Sequence, residues 1–248
     1  MPLPTSVQRD NKMRERKSIN KCHLCDNDDV TVHDEHTWCK RCMHGQSIYA
    51  FDKSVYDYDY ATEYLKRANS YMSTTLNAFR LEFTLGATKD IPLPKMRLLD
   101  FGCAAGVFVA ALKFRISGNI KAYGYDVNVS HKDKWEDAAK FLFTDLSKVP
   151  QPLNVVTFFD SLEHVEDPKG LIKYLDPRYV ITSIPVFSPS GKNLTKSRHY
   201  KPAEHLHYFS TTSIKKMLRD LGYSIVNTSS KESSLGRDNI QTFAFRKK

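Results

Sequence analysis

The stretch LLDFGCAAGVFVAALKF, Leu98 to Phe114, sets an apolar run against a turn of small residues and then a second apolar run without a helix breaker. The first run, ending at Asp100, reads as a buried strand and Val107 to Phe114 as a helix, so residues 101–106 form a tight strand-to-helix turn. Small residues at Gly102, Ala104 and Gly106 let a ligand approach the backbone, and the unpaired amides of a helix start suit a polar or anionic cofactor group. The same pattern also fits an ordinary connection with no ligand. The dinucleotide fingerprint G-x-G-x-x-G is one residue longer than Gly102-x-Ala104-x-Gly106, so a different cofactor matches better.

Outward from this turn the pattern alternates. RLLDF is followed by VFVAALKF, KAYGYD (121–126), WEDAAKF (135–141), FLFTD (141–145) and NVVTFFD (154–160). A helix opened by Asp167 and Pro168, the strand YVITSIP (179–185), the helix TTSIKKMLRDLGY (211–223) and strands at SIVNTS and QTFAFR complete the chain. Such alternation predicts an α/β fold, a doubly wound Rossmann-like and mainly parallel sheet, with its ligand at the carboxyl ends of the strands. Asp100, Asp126 and Asp160 each end a strand, so these acids converge with the 101–106 turn on one crevice. Asp126, after the second strand, is placed to accept hydrogen bonds from ribose hydroxyls, and Asp145 to meet an adenine amino group. Each could instead cap a helix.

The 248 residues, 41% hydrophobic and without an apolar run of membrane-spanning length, suit one α/β domain with a small appendage. The polar, basic start MPLPTSVQRDNKMRERKS carries no export signal, which predicts a cytoplasmic protein with no membrane association. The net charge of +9 is concentrated late in the chain, where residues 188–248 hold 12 basic and 4 acidic side chains. That excess suits nucleic acid, phosphorylated substrates or a membrane surface, or simply a solvated basic face.

Four of the five cysteines form CHLC (22–25) and CKRC (39–42), two Cys-x2-Cys knuckles thirteen residues apart. In a reducing compartment this is metal spacing, and four thiolates from Cys22, Cys25, Cys39 and Cys42 close a tetrahedral site for a structural Zn2+. The expected organisation is a flexible arm (1–20), a zinc ribbon (21–48), a helical Tyr-rich lid segment (49–90) and a cofactor domain (91–248). The lid carries Tyr56, Tyr58, Tyr60, Tyr64 and Tyr71, an aromatic stripe that suits a core as well as a ligand.

Taken together, LLDFGCAAG, YGYD, FTDL, VVTFFDSLEHVEDP and HLHYFSTTSIKKMLRDLGY resemble the successive motifs of class I S-adenosylmethionine-dependent methyltransferases. The last two segments, with the cysteine knuckles and the tyrosine-rich stretch, are similar to a branch that includes sugar and small-molecule methyltransferases. The resemblance implies that Asp100, Gly102 and Gly106 surround the methionine part of S-adenosylmethionine, with Ala104 where glycine is usual. It implies that Asp126 holds the ribose, Asp145 the adenine edge, and Asp160, Ser161 and Leu162 the floor near the sulfonium. Glu204 and His205 match positions that face the substrate in sugar-modifying relatives, and His164 and His207 are further candidates. His205 is the choice for a base or substrate-orienting group, because a neutral imidazole accepts a proton near neutral pH; EHLHYF could also simply cap and pack the following helix. The leading expectation is methyl transfer to a small molecule such as a sugar or nucleotide-sugar. The competing ones are nucleic-acid methylation, using the ribbon and the basic C-terminal part, and a non-catalytic cofactor-binding scaffold. DSLEH lacks the D/N-P-P-Y/F pattern associated with amino methylation of adenine and cytosine, which argues against the nucleic-acid reading.

Overall fold

The computed structural model describes residues 16–50, 71–114, 116, 119–128, 140–202 and 204–248. The tyrosines expected at 56, 58, 60 and 64 and most of the helix expected at 135–141 lie outside them.

Hydrophobic dyads build the central sheet. β4 (Arg97–Phe101), β5 (Lys121–Tyr125), β6 (Leu142–Phe143), β7 (Val155–Phe159) and β8 (Tyr179–Pro185) pair in parallel, with β4 between β5 and β7. β10 (Tyr223–Ser229) and β11 (Ile240–Lys247) complete seven strands in the order β10-β11-β8-β7-β4-β5-β6. Only β11 runs against the rest, because it pairs antiparallel with both β8 and β10. Every residue of β7 and β8 is buried, as expected of strands covered on both faces.

Side-chain alternation deals adjacent residues to opposite layers. Leu99, Val156 and Val180 join one cluster with Ile172 and Leu175 of α3 (Pro168–Leu175) and Ile214, Met217 and Leu218 of α4 (Thr211–Asp220). Their neighbours Leu98, Val155 and Ile181 join the other, with Phe83 of α1 (Tyr71–Ala87) and Phe108, Val109 and Leu112 of α2 (Val107–Phe114). Local signals set the helix ends. Asp167 caps α3 by accepting from the Gly170 amide, Ser210 and Ser213 form a capping box on α4, and Gly222 at φ +87° follows the end of α4. A one-turn helix, α5 (Lys231–Ser234), bridges β10 and β11.

The cysteine-bearing segment forms β1 (Val30–Val32), β2 (His36–Cys39) and β3 (His44–Ser47), an antiparallel meander. It does not close on itself. Its sheet takes a fourth strand, β9 (His207–Tyr208), from the EHLHYF segment far along the chain, with Gly45 opposite Tyr208 and Gln46 opposite His207. Cys22, Leu24, Cys39 and Cys42 extend the same apolar cluster that holds α3 and α4, and Lys169 Nζ donates to the Leu24 carbonyl at 3.1 Å. Ribbon and sheet domain therefore share both a hydrogen-bond ladder and a core.

This junction leaves no room at Gly45, where a Cβ would stand 2.8 Å from the Trp38 ring and 3.1 Å from the Tyr208 Cβ. Overpacking of this kind costs about 1–3 kcal/mol. Gly45→Ala is expected to lower the thermal midpoint by several degrees in a scanning denaturation; an unchanged midpoint would show that the two rings give way.

Candidate functional site

Because β4 to β8 are parallel, their carboxyl ends share one edge, and there the chain gathers acids. The turn after β4 holds Gly102 at φ +77°, Ala104 at +46° and Gly106 at +73°. The reason for glycine is packing as well as conformation: a Cβ on Gly102 would lie 2.4 Å from Ser161 Cβ, and one on Gly106 2.9 Å from Leu142. Ala104 occupies the left-handed region with a Cβ, a strain of about 1–2 kcal/mol. The amides of Gly102 and Cys103 donate to the Tyr125 carbonyl and that of Gly106 to Cys103, so they are spent inside the fold. The first amides of α2, which have no intrahelical acceptor, are the ones placed for a ligand.

Asp126 follows β5 and grips this turn. Its Oδ2 accepts from the Ala104 amide at 2.8 Å and its Oδ1 from the Asn128 amide at 3.0 Å. Two carboxylate oxygens offer about four acceptor sites, so the carboxylate retains capacity for ribose hydroxyls. Burial raises its pKa, opposed by those amides. Asp100 is buried, accepts from Thr157 Oγ1 at 2.7 Å, and is pushed up to about 7 by burial. Asp145 lies apart from these: it is exposed beyond β6 and caps the turn 146–148, accepting from the Ser147 amide at 3.0 Å. Ser161 Oγ donates to the Phe101 carbonyl at 2.6 Å, tying the β7 exit to the β4 exit, and Leu162 is wholly buried in the core.

Asp160, at φ +57°, sits in a ring of charge that sequence reasoning did not find. Arg80 of α1 donates to Asp160 Oδ2 at 2.7 Å and, through Nε and Nη2, to both oxygens of Glu232 at 2.9 and 3.1 Å. Arg237 closes the ring on Asp160 Oδ1 at 2.8 Å and on Glu232. Arg80 is 5% exposed and Glu232 fully buried. Burial works against the Asp160 charge, but the Arg80 and Arg237 guanidinium groups outweigh it and hold the carboxyl well below the usual range. No spacing rule links positions 80, 160, 232 and 237, so only the folded chain reveals the set.

Beyond Asp160 the turn Leu162–His164 meets the loop before β9. The Leu206 amide donates to the Glu163 carbonyl and His164 Nδ1 donates to the Glu204 carbonyl, both at 2.8 Å. The His164 and His205 rings stand edge to face with centroids 4.7 Å apart. The structure thus brings His164 and His205 together, and joins Glu204 to His164 through its main chain. The Glu204 carboxylate pairs with Lys201 at 3.0 Å. Burial pushes His205 well below, and His164 below, the ordinary histidine value, so both are neutral near neutral pH. Glu163, inside the LEH motif but given no role by sequence reasoning, is buried and pushed up to about 8 by desolvation and the Asp160 charge.

The four knuckle cysteines converge as their spacing predicts. Sγ atoms of Cys22 and Cys42 lie 3.4 Å apart and those of Cys25 and Cys39 3.6 Å. Ligand atoms of all four fall within 4.8 Å of one another, which suits the edge of a tetrahedral thiolate site. The shared hydrogen bond draws the Cys22 thiol down to about 5 and pushes that of Cys42 up, and burial raises Cys25 to about 11, so without a metal the cluster carries one thiolate held by neighbouring thiols. On the outer side of the same ribbon, His33, His36, Trp38 and Lys40 face Lys192 and Leu194 across a cleft.

The charge ring makes a stability prediction. Arg80→Ala leaves Glu232 and Asp160 short of a counter-charge in a buried site and is expected to cost about 3–5 kcal/mol in urea denaturation. A loss below about 1 kcal/mol would mean that Arg237 alone neutralises the pair.

The fold is shared with solved methyltransferases. Magnesium protoporphyrin IX methyltransferase (ChlM) from Synechocystis PCC 6803 with bound SAH is 17% identical, covering 79% of this chain and 100% of that one with a TM-score of 0.59. An O-methyltransferase family protein from Burkholderia thailandensis is 11% identical over 80% of this chain and 63% of that one, TM-score 0.55. The plantazolicin methyltransferase BpumL in complex with SAH is 12% identical over 84% and 95%, TM-score 0.53. No curated protein matches the chain. A methyltransferase-domain model matches residues 64–228, more than half of the sequence, and the chain belongs to that family.

Proposed function

We propose that this protein transfers a methyl group from S-adenosylmethionine to a small molecule, with a sugar, nucleotide-sugar or related metabolite as the acceptor class. The observation that carries the reading is the grip of Asp126 on the 102–106 turn at the carboxyl edge of a parallel sheet. These residues fit the donor: the amides opening α2 suit its charged methionine end and Asp126 its ribose hydroxyls, and Asp100 and Asp160, at the ends of the neighbouring strands β4 and β7, are proposed to stand near its sulfonium. When bound, S-adenosylmethionine supplies an electrophilic methyl on a sulfonium. The exposed Asp145 is proposed to reach the adenine edge only if its capping bond to Ser147 is shared.

Because the sulfonium leaving group needs no proton, the protein must align the acceptor and take up any proton it loses. His205, kept neutral by burial, is proposed to orient or deprotonate the acceptor, with His164 beside it and the Glu204 carbonyl holding His164 in place. Four thiolates from Cys22, Cys25, Cys39 and Cys42 are proposed to hold a structural Zn2+, which leaves no position open for chemistry. Nucleic-acid methylation is the second reading, favoured by the 12 basic against 4 acidic side chains of residues 188–248. Labelled S-adenosylmethionine offered with separate metabolite, RNA and DNA fractions distinguishes the two by which fraction gains label.

Three outcomes are expected. In calorimetry, Asp126→Ala weakens S-adenosylmethionine binding by about 2–4 kcal/mol, the worth of two charge-assisted hydrogen bonds, and equal affinity removes Asp126 as the ribose anchor. His205→Ala leaves that affinity unchanged while lowering turnover by roughly 100-fold or more; full turnover makes the EHLHYF segment a packing element. Cys22→Ser with Cys39→Ser abolishes bound zinc in metal analysis. Because β3 pairs with β9, this double variant also lowers turnover while retaining cofactor binding.

A further inference from the structure

Three side chains outside the cysteine cluster bring metal-ligating atoms to one point. A carboxylate oxygen of Glu163 and one ring nitrogen each of His164 and His205 all lie within 4.8 Å of one another. Among the described residues, two of the groups hold buried atoms with no hydrogen-bond partner, Glu163 Oε2 and His205 Nδ1. Buried polar atoms are almost always satisfied, so two orphans in one three-residue cluster point to a missing partner. A divalent ion takes electron pairs from a carboxylate and an imidazole at once, so it would satisfy both orphans, and the donor set suits it.

The support is of the kind metal ligands receive. His164 donates Nδ1–H to the Glu204 carbonyl at 2.8 Å, which fixes the tautomer with its lone pair on Nε2. The Leu206 amide binds the Glu163 carbonyl at 2.8 Å, so the two segments that bear the ligands are zipped together without any ion. Neighbouring charge is already balanced, because Arg80 and Arg237 are matched by Asp160 and Glu232.

We propose that Glu163, His164 and His205 form a second metal site, distinct from the four cysteines, for a divalent first-row transition ion. Two imidazoles and one carboxylate are the donor set of open sites for zinc and non-haem iron, and three protein ligands leave positions for water or an oxygen of the acceptor. The purpose of the ion, to hold an acceptor oxygen, rests on the small-molecule reading above; its existence does not. With the ion bound, His205 orients the acceptor through it and does not take the proton.

The test uses the full chain with metal retained on its cysteines and Co2+ as the probe. Titration followed by visible absorption should show about one added equivalent, with d–d bands of a nitrogen and oxygen site and no new thiolate charge-transfer band. Glu163→Gln, which keeps the side-chain shape, and His205→Ala should each weaken this binding on the order of 100-fold while the cysteine-bound metal and the thermal midpoint are kept. No added equivalent at millimolar Co2+ overturns the proposal, and so does binding that both variants retain. Co2+ bound by a protein that labels no acceptor overturns the proposed function and upholds the ion site.

Discussion

Asp160 turns the chain at the end of β7 in a left-handed conformation, and the salt bridges to Arg80 and Arg237 hold it there. A non-glycine residue in that region costs of order 1–3 kcal/mol and persists only where its surroundings over-determine it. The return is directional. Past Asp160 the backbone is aimed so that Ser161 ties to Phe101, Leu162 enters the core, and Glu163 and His164 reach the loop before β9. Since Arg80 comes from α1 and Glu232 from α5, the ring also clamps two remote elements onto the sheet edge.

From that loop the dependence passes to the ribbon. β9 is two residues long and pairs with β3, while His207 connects the two bodies: its Nε2 donates to the Val165 carbonyl at 2.9 Å and its Nδ1 accepts from His44 Nε2 at 3.0 Å. A two-residue strand has little stability of its own, so the ladder, the histidine pair and the shared apolar cluster must form together. The cysteine site is thus joined through β3 and β9 to the neighbourhood of His205. A module that looks like an appendage in the chain is hydrogen-bonded to the loop that carries His205, through Ser47 to Pro202 and Leu206.

Much of the fold was legible because it rests on local periodicity. The runs RLLDF, KAYGY, VVTFF and YVITSIP became β4, β5, β7 and β8; β7 and β8, buried along their whole length, are the most apolar, whereas β5 alternates buried with more exposed residues. The helix read from Thr211 begins there because Ser210 caps it. FLFTD yielded only the two paired residues of β6, an edge strand whose pairing propensity could not show. In the 101–106 turn Gly102 and Gly106 also make room for Ser161 and Leu142, a packing need that the sequence pattern does not show. Position in the chain cannot tell which neighbour fills the space a missing Cβ leaves.

The amino-acid sequence by itself determined the α/β alternation, the strand-to-helix turn with acids at successive strand ends, and the paired cysteine knuckles. Each is encoded within a few consecutive residues or by a fixed spacing. Only the tertiary structure decided the ring of Arg80, Asp160, Glu232 and Arg237, the meeting of Glu163 and His164 with His205, and the strand that β9 lends to the ribbon. Apart from the Glu232–Arg237 pair, those contacts join segments separated by tens to more than a hundred residues. Their partners are chosen by burial and by charge compensation in a low-dielectric interior, which exist only once the sheet has brought the segments together.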